Sequence, residues 1–165
     1  MIVGKTHPTD EICPLVLKGL PLGFVTEYKY LGVVLCGGKA LSFSPVSTVR
    51  SFHRAANSIL CSHVKPDNAI LMKLLYSNCV PIITYACAVR EFSSSDMYRC
   101  HVAVNNAIRR IFSFRVWQSV RELRISHGFK SVYELFSAAK SKFLANAASS
   151  TNPIVSHLST VLPFT

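Results

Sequence analysis

The chain has 165 residues, half of them hydrophobic, and its 18 Lys and Arg against 8 Asp and Glu give a formal net charge of +10. The hydrophobic content excludes a disordered tail, and the 16% share of charged residues excludes a histone-like arm. A folded basic chain of this length fits one domain or a small piece of a larger protein, and its usual partner is a polyanion.

The basic surplus belongs to the middle of the chain. Residues 1–44 hold four Lys and three acids, a balance of +1, whereas residues 45–142 hold five Lys, nine Arg and five acids, a balance of +9. Residues 143–165 contain no Lys, Arg, Asp or Glu. Any contact with a polyanion is therefore expected from residues 45–142.

The carboxylates are too few and too scattered for phosphoryl-transfer chemistry. They are Asp10, Glu11, Glu27, Asp67, Glu91, Asp96, Glu122 and Glu134. No two of them lie at Asp-x-Asp or Asp-Asp spacing on an apolar strand, as a two-metal site requires. We therefore expect no catalytic residue, no metal ligand and no cofactor in this chain, and no catalysis by the chain alone.

Residues 1–44 have the pattern of β structure. Short strands are predicted over residues 12–17 and 39–43, with one longer strand from Phe24 to Leu35. Met1–Val3 is typical of a strand end whose beginning is missing, as in a fragment. Turns are predicted at Gly19, Pro21, Gly23 and Gly37-Gly38.

After Pro45 the apolar period becomes helical. The sequence predicts a first helix from Pro45 to His63 and a second that begins at Pro66-Asp67 and ends before Pro81. A long third helix follows the Ser93–Asp96 segment. The apolar positions expected on the core sides of the first two helices include Val46, Val49, Phe52, Ala56, Ile59, Ile70, Leu71, Leu74 and Leu75.

Two more helices are predicted from capping-box signatures, Ser119-x-x-Glu122 and Ser131-x-x-Glu134. Gly128 is a plausible stop between them, and the last helix is expected over Val132–Ala148. The tail from residue 149 is expected to be loose because Ser, Thr, Asn and Pro dominate it.

The basic residues recur at helical spacing. Arg50 and Arg54 are four residues apart, beside His53 and Asn57, and guanidinium groups at that spacing can bind neighbouring phosphates. The residues predicted to contact nucleic acid are Arg50, Arg54, Lys73, Arg99, Arg109 and Arg110. Two other interpretations stay open: ordinary solvated helix faces, and cation–π contacts of Arg with Phe112, Phe114 or Trp117.

The six cysteines lie mostly in apolar runs, which favours reduced, buried thiols in an intracellular protein. Cys61-x-His63 and Cys100-His101 suggest zinc, but no Cys-x-x-Cys pair occurs, so a zinc site is disfavoured. No secretory signal and no run long enough to span a membrane is seen, so we expect no membrane partner. No compact Lys/Arg tract distinguishes a nuclear from a cytoplasmic location.

Four segments occur in a familiar order: Tyr28–Val33, Leu74–Tyr85, Asn105–Ile111, and Ser119–Gly128 followed by Val132–Leu135. This order resembles the region after the catalytic palm in reverse transcriptases of non-LTR (LINE-type) retrotransposons. There, a Tyr-Leu-Gly strand precedes a helical thumb that contains Val-Pro, two apolar residues and Tyr-Gly. The chain departs from the pattern at Ala86, where the family usually has Gly.

The resemblance implies specific roles. Tyr30, Leu31 and Gly32 would form a primer-grip-like hairpin, and the helices from Pro45 to Phe114 would form a thumb over the template–primer duplex. The family's aromatic-Ala-Asp-Asp strand does not occur in this sequence, so the Mg²⁺ of the parent enzyme would be bound elsewhere. The partners implied are an RNA–DNA or DNA duplex and the missing palm and fingers.

We therefore predict an α+β, mainly α chain with three parts. Residues 1–44 form a short antiparallel β hairpin region, residues 45–148 a helical thumb-like bundle, and residues 149–165 a loose tail. The predicted function is template–primer binding in an RNA-directed DNA polymerase. The alternative is a degenerate retroelement remnant that is only a structural or interaction domain, or that has no activity.

Overall fold

The computed structural model describes residues 13, 15–38, 42–61, 66–90 and 92–155, and it confirms the α+β, mainly α class. The chain divides into two compact units, Met1–Thr48 and Val49–Thr165; the domain boundary predicted from the sequence follows residue 44. Several expectations lie outside the described residues. They concern the strand end at Met1–Val3, Ile12 and Pro14 of the strand at 12–17, residues 39–41, His63, Glu91 and the tail beyond residue 155.

The first unit contains two small antiparallel sheets. Strand β1 (Val16–Leu17) pairs with β2 (Leu20–Pro21) across a turn at Lys18-Gly19, where both residues have positive φ (50° and 81°). Such turns match the twist of the flanking strands, and glycine adopts them without steric penalty. Gly19 is thus a turn residue as predicted, but Pro21 belongs to a strand and not to a turn.

The second sheet has three strands in the order β3 (Glu27–Tyr30), β4 (Val33–Cys36) and β5 (Ser42–Phe43), all antiparallel. The prediction of one strand from Phe24 to Leu35 is wrong. Leu31 and Gly32 have φ of 45° and 81°, so the chain reverses there and Tyr30 pairs with Val33. The apolar run hid the turn, because Leu31 is not a typical residue for positive φ.

The second unit is helical. Helix α1 spans Val46–Leu60, within the predicted range, and α2 spans Asn68–Leu74, with Asp67 capping its first turn. Although α2 itself ends at Leu74, the helical course of the chain does not stop before Pro81 as predicted. A π-helical segment (Leu75–Cys79) follows α2 directly, and α3 (Val80–Thr84) carries Pro81 in its first turn. The first turn of a helix tolerates proline because its N–H groups have no intrahelical partner.

The long helix α4 spans Ser94–Ile111 and is capped by Ser93, as expected. Helix α5 spans Arg121–Ser126 and α6 spans Val132–Ala148. The Ser131–Glu134 capping box is confirmed, but the Ser119–Glu122 box is wrong. Val120 precedes α5 instead, and the Ser119 hydroxyl accepts from the Arg121 N–H at 3.3 Å. Gly128, with φ of +72°, follows α5 as predicted.

The core of the second unit joins α1, α2, the π segment, α3, α4 and α6. Phe52, Met72, Ile83 and Ile108 are fully buried there. Val46 and Ile70, expected on core sides, are half exposed instead (49% each). No helix among the described residues is long and apolar enough to cross a membrane.

Tyr76 of the π segment tethers the connection between α5 and α6. Its hydroxyl donates to the Lys130 carbonyl oxygen at 3.1 Å, and its ring stacks on Phe129 with centroids 4.1 Å apart. Burial raises the pKa of Tyr76 to about 12. The phenol therefore stays a hydrogen-bond donor throughout the neutral range.

Candidate nucleic-acid interface

One side of α1 is polar and exposed. Arg50, Arg54 and Asn57 are separated by four and three residues, so they lie on the same side of the helix, and all three side chains are exposed. Phe52 and Ala56 occupy the opposite side and are buried. Burial of that apolar side fixes the orientation of the two arginines toward solvent.

On α4, Arg99 and Arg110 also share a side of the helix. They are 11 residues apart, which at 3.6 residues per turn returns almost to the same direction. Both are exposed, as is Asn106 one turn before Arg110. The adjoining side of α4 is buried through Cys100, Ala103, Val104, Ala107, Ile108 and Ile111.

These two helix sides meet. Arg110 Nη1 donates to Asn57 Oδ1 at 2.5 Å, which joins α4 to α1. A rise of ~1.5 Å per residue places Arg54 and Arg50 about 4.5 and 10 Å along α1 from this contact. We call this surface the α1–α4 basic face; it consists of Arg50, Arg54, Asn57, Arg99, Asn106 and Arg110.

The partner of Arg110 is a neutral amide, so the hydrogen bond orients the guanidinium without neutralising it. The face therefore keeps a positive charge at Arg110 beside the cations of α1. Exposed guanidinium groups held in this way can each bind a phosphate oxygen, bidentately where the geometry allows.

Arg109 and Lys73 lie elsewhere. Arg109 is half-buried, and its Nε donates to the Gln118 carbonyl at 3.0 Å while Nη1 donates to Asn106 Oδ1 at 2.9 Å. It therefore connects Asn106, at the edge of the α1–α4 basic face, to the loop before α5. Lys73 is exposed on α2. The structure thus groups Arg50, Arg54, Arg99 and Arg110, while the roles of all six predicted cations stay predictions.

The loop after α4 contains a cation–π contact of the kind considered above as an alternative role for the arginines. The Arg115 guanidinium carbon lies 5.3 Å from the centroid of the Trp117 ring, and the tryptophan side chain is 75% exposed. Phe112 and Phe114 pack against each other, with ring centroids 6.0 Å apart. An exposed indole beside a guanidinium resembles the stacking surfaces of proteins that bind single-stranded nucleic acid.

A polar pocket of about 310 Å³, which the sequence did not reveal, lies between α4, α5 and the start of α6. Its basic lining residues are His101, Arg109, Arg121 and Arg124; Asn105, Ser119, Val120, Ser131 and Tyr133 complete it. The only sequence signal was the spacing of His101, Asn105 and Arg109, which repeats every four residues.

The surroundings of His101 favour its uncharged imidazole. Burial, followed by the positive charges of Arg124 and Arg109, lowers the pKa of its imidazole. The Asn105 side-chain amide Nδ2 lies 2.8 Å from His101 Nε2 and can only donate, so Nε2 accepts and the ring proton is on Nδ1. The Tyr133 ring packs against the imidazole, with centroids 4.7 Å apart.

The primer-grip-like residues occupy the turn between β3 and β4. Tyr30 is exposed at the end of β3, and Leu31 and Gly32 form the reversal itself. Within this unit the three residues do share one hairpin tip. The role that the resemblance assigns to them stays a prediction.

The described residues contain no group of three or more His, Cys, Asp or Glu side chains that could hold a metal ion. We therefore assign no ligand of Mg²⁺ or zinc. The six thiols are free, and Cys79, Cys87 and Cys100 are buried as expected. Cys13 and Cys61 are exposed, however, so the prediction of buried thiols is wrong for these two.

Comparison with known proteins gives no relative. No family model, no curated protein and no solved structure matches the chain. The resemblance to reverse transcriptases therefore depends on the sequence landmarks alone.

Proposed function

We propose that the chain binds a template–primer duplex as the thumb-side part of an RNA-directed DNA polymerase of the non-LTR retrotransposon type. The observation that carries this proposal is the hydrogen bond between Asn57 and Arg110. It connects the exposed arginines of α1 with those of α4, so the cations form one surface and not separate patches.

Contacts of this kind position a duplex without reading its sequence. Guanidinium groups bind phosphate oxygens, release condensed counterions and give a binding constant that falls steeply with salt. The α1–α4 basic face offers Arg50, Arg54, Arg99 and Arg110 for this purpose. The reaction of the parent enzyme would depend on carboxylates outside this chain, which the palm and fingers would supply.

The proposal is tested by titrating the full chain with a fluorescent RNA–DNA hybrid at several salt concentrations. We expect a linear fall of log K with log salt. The double variant Arg50→Gln/Arg54→Gln should bind at least about tenfold more weakly and lower the slope by about 1.5 to 2, as the loss of two phosphate contacts requires.

The matched control is Lys130→Gln/Lys142→Gln, which removes the same charge from exposed side chains outside the face. This control should keep most of the affinity. Weak binding without salt dependence, or equal losses in both double variants, would overturn the proposal. The interaction-domain alternative would then be favoured.

A further inference from the structure

We infer that the pocket between α4, α5 and the start of α6 is a binding site for a phosphate group. This site lies on the other flank of α4 from the α1–α4 basic face, and the inference does not depend on duplex binding. Its ligand class is a small phosphate oxyanion, either inorganic phosphate or the terminal phosphate of a larger molecule.

The charge of the pocket favours such a ligand. Arg109, Arg121 and Arg124 all line it, and no carboxylate is among its lining residues. Two acids adjoin lining residues in sequence: Glu122 follows Arg121, and Glu134 follows Tyr133. Glu134 Oε2 accepts the Ser131 N–H in the capping box, and its carboxylate also interacts electrostatically with Arg124. Guanidinium groups that converge on one cavity repel one another unless an anion lies between them.

Two residues that line the pocket each have a buried nitrogen without a protein hydrogen-bond partner. Arg124 is only 9% exposed, and its Nε makes no hydrogen bond within the described part of the chain. His101 Nδ1, which carries the ring proton, is buried and unpaired in the same sense. Buried N–H groups nearly always have a partner, so these two lining residues retain unused hydrogen-bonding capacity next to the cavity.

Part of the site is held in place before any ligand binds. The hydrogen bonds from Arg109 to Gln118 and Asn106 fix its guanidinium, and the packing of Tyr133 on His101 fixes the opposite wall. A volume of about 310 Å³ is at the small end of the usual range of ligand sites, about 300–1,000 Å³. A phosphate with a small substituent fits this size.

The test is calorimetric titration of the full chain with inorganic phosphate and with pyrophosphate in a phosphate-free buffer. The probe variant is Arg121→Gln, since Arg121 is exposed and its removal leaves the core untouched. The matched control is Lys142→Gln, which removes the same charge from an exposed side chain outside both the pocket and the α1–α4 basic face. Fluorescence of the single tryptophan, Trp117, next to the Arg109-bonded Gln118, provides a second readout.

We expect saturable binding at one site, about tenfold weaker in Arg121→Gln and unchanged in Lys142→Gln. No saturable binding of either anion, or equal weakening in both variants, would overturn the inference. A short oligonucleotide with and without a 5′-phosphate then distinguishes the source. A preference for the phosphorylated form that Arg121→Gln abolishes supports a terminal phosphate, and no preference supports the free anion.

These experiments separate the two proposals. If the duplex proposal is wrong, Arg50→Gln/Arg54→Gln binds the RNA–DNA hybrid no more weakly than its control variant. The phosphate titration is not affected by that outcome. Failure of the phosphate site would leave the response of the α1–α4 basic face to salt unchanged.

Discussion

Arg110 of α4 donates from Nη1 to Oδ1 of Asn57 on α1, across 53 positions of sequence. Both side chains are exposed, so the contact lies at the rim of the helix pair and not in its core. It is the one side-chain bond among the described residues that joins the cations of the two helices, and the proposed function depends on it.

The contribution of this bond to stability can be measured by a double-mutant cycle. We expect Asn57→Ala and Arg110→Ala each to lower the free energy of unfolding by about 0.5–1.5 kcal/mol in urea titrations. Their effects should be less than additive because both remove the same bond. The control pair Asn57→Ala with Arg99→Ala should be additive. Full additivity of Asn57→Ala and Arg110→Ala would contradict the contact.

Two isoleucines provide a matched test of the core. Ile83 of α3 is fully buried, whereas Ile70 of α2 is 49% exposed. Ile83→Ala should destabilise the protein by about 2–5 kcal/mol through lost burial and a cavity. Ile70→Ala should cost less than about 1 kcal/mol. Both changes are Ile to Ala within a helix, so similar losses in denaturant titrations would contradict the described packing.

The thiols should differ sharply in reactivity. Cys13 and Cys61 are exposed, whereas burial raises the pKa of the Cys100 thiol to about 11 and also raises the pKa of Cys79 and Cys87. Because the thiolate is the reactive form, native protein at neutral pH should label rapidly at Cys13 and Cys61. Peptide mass spectrometry identifies the sites. Labelling of Cys100 as fast as Cys61 before unfolding would contradict its burial.

The capping box of α6 predicts a stability change in acid. Hydrogen bonds from Ser131 lower the pKa of Glu134 below its ordinary value of 4.5. A lowered pKa in the folded state means that the stabilisation is complete above the ordinary value and is lost as pH falls through the folded value. Glu134→Gln should remove this part of the pH dependence. Glu122→Gln, at the box that does not form, should leave it in place.

Much of the helical unit could be predicted from the sequence because its signals are local. Ser93, Ser131 with Glu134, and Gly128 are start and stop residues whose action depends only on neighbouring backbone groups. The same reasoning failed at Ser119, because α5 begins only at Arg121 and Val120, not Ser119, is the residue that precedes it. It failed at Pro81 because a π-helical segment, which no residue pattern announces, precedes it.

The candidate sites, too, were only partly predictable from the sequence. The sides of α1 and α4 that carry Arg50, Arg54, Arg99 and Arg110 follow from helical periodicity, so their composition was predictable. Their meeting through Asn57 was not, because it depends on how two distant helices pack. The pocket was missed for the same reason, since its residues come from α4, α5 and α6 and share no sequence interval.

Arg109 has both a structural role and a place in the pocket, and this affects how its conservation should be interpreted. The same guanidinium ties the loop at Gln118 and lines the phosphate pocket. A chain that lost any need for the phosphate could replace the exposed Arg121 without damage, but a replacement of Arg109 would release the loop. Among homologues of this chain, we therefore expect Arg109 to be conserved more often than Arg121. Conservation of Arg109 alone would not indicate that the site still binds a ligand.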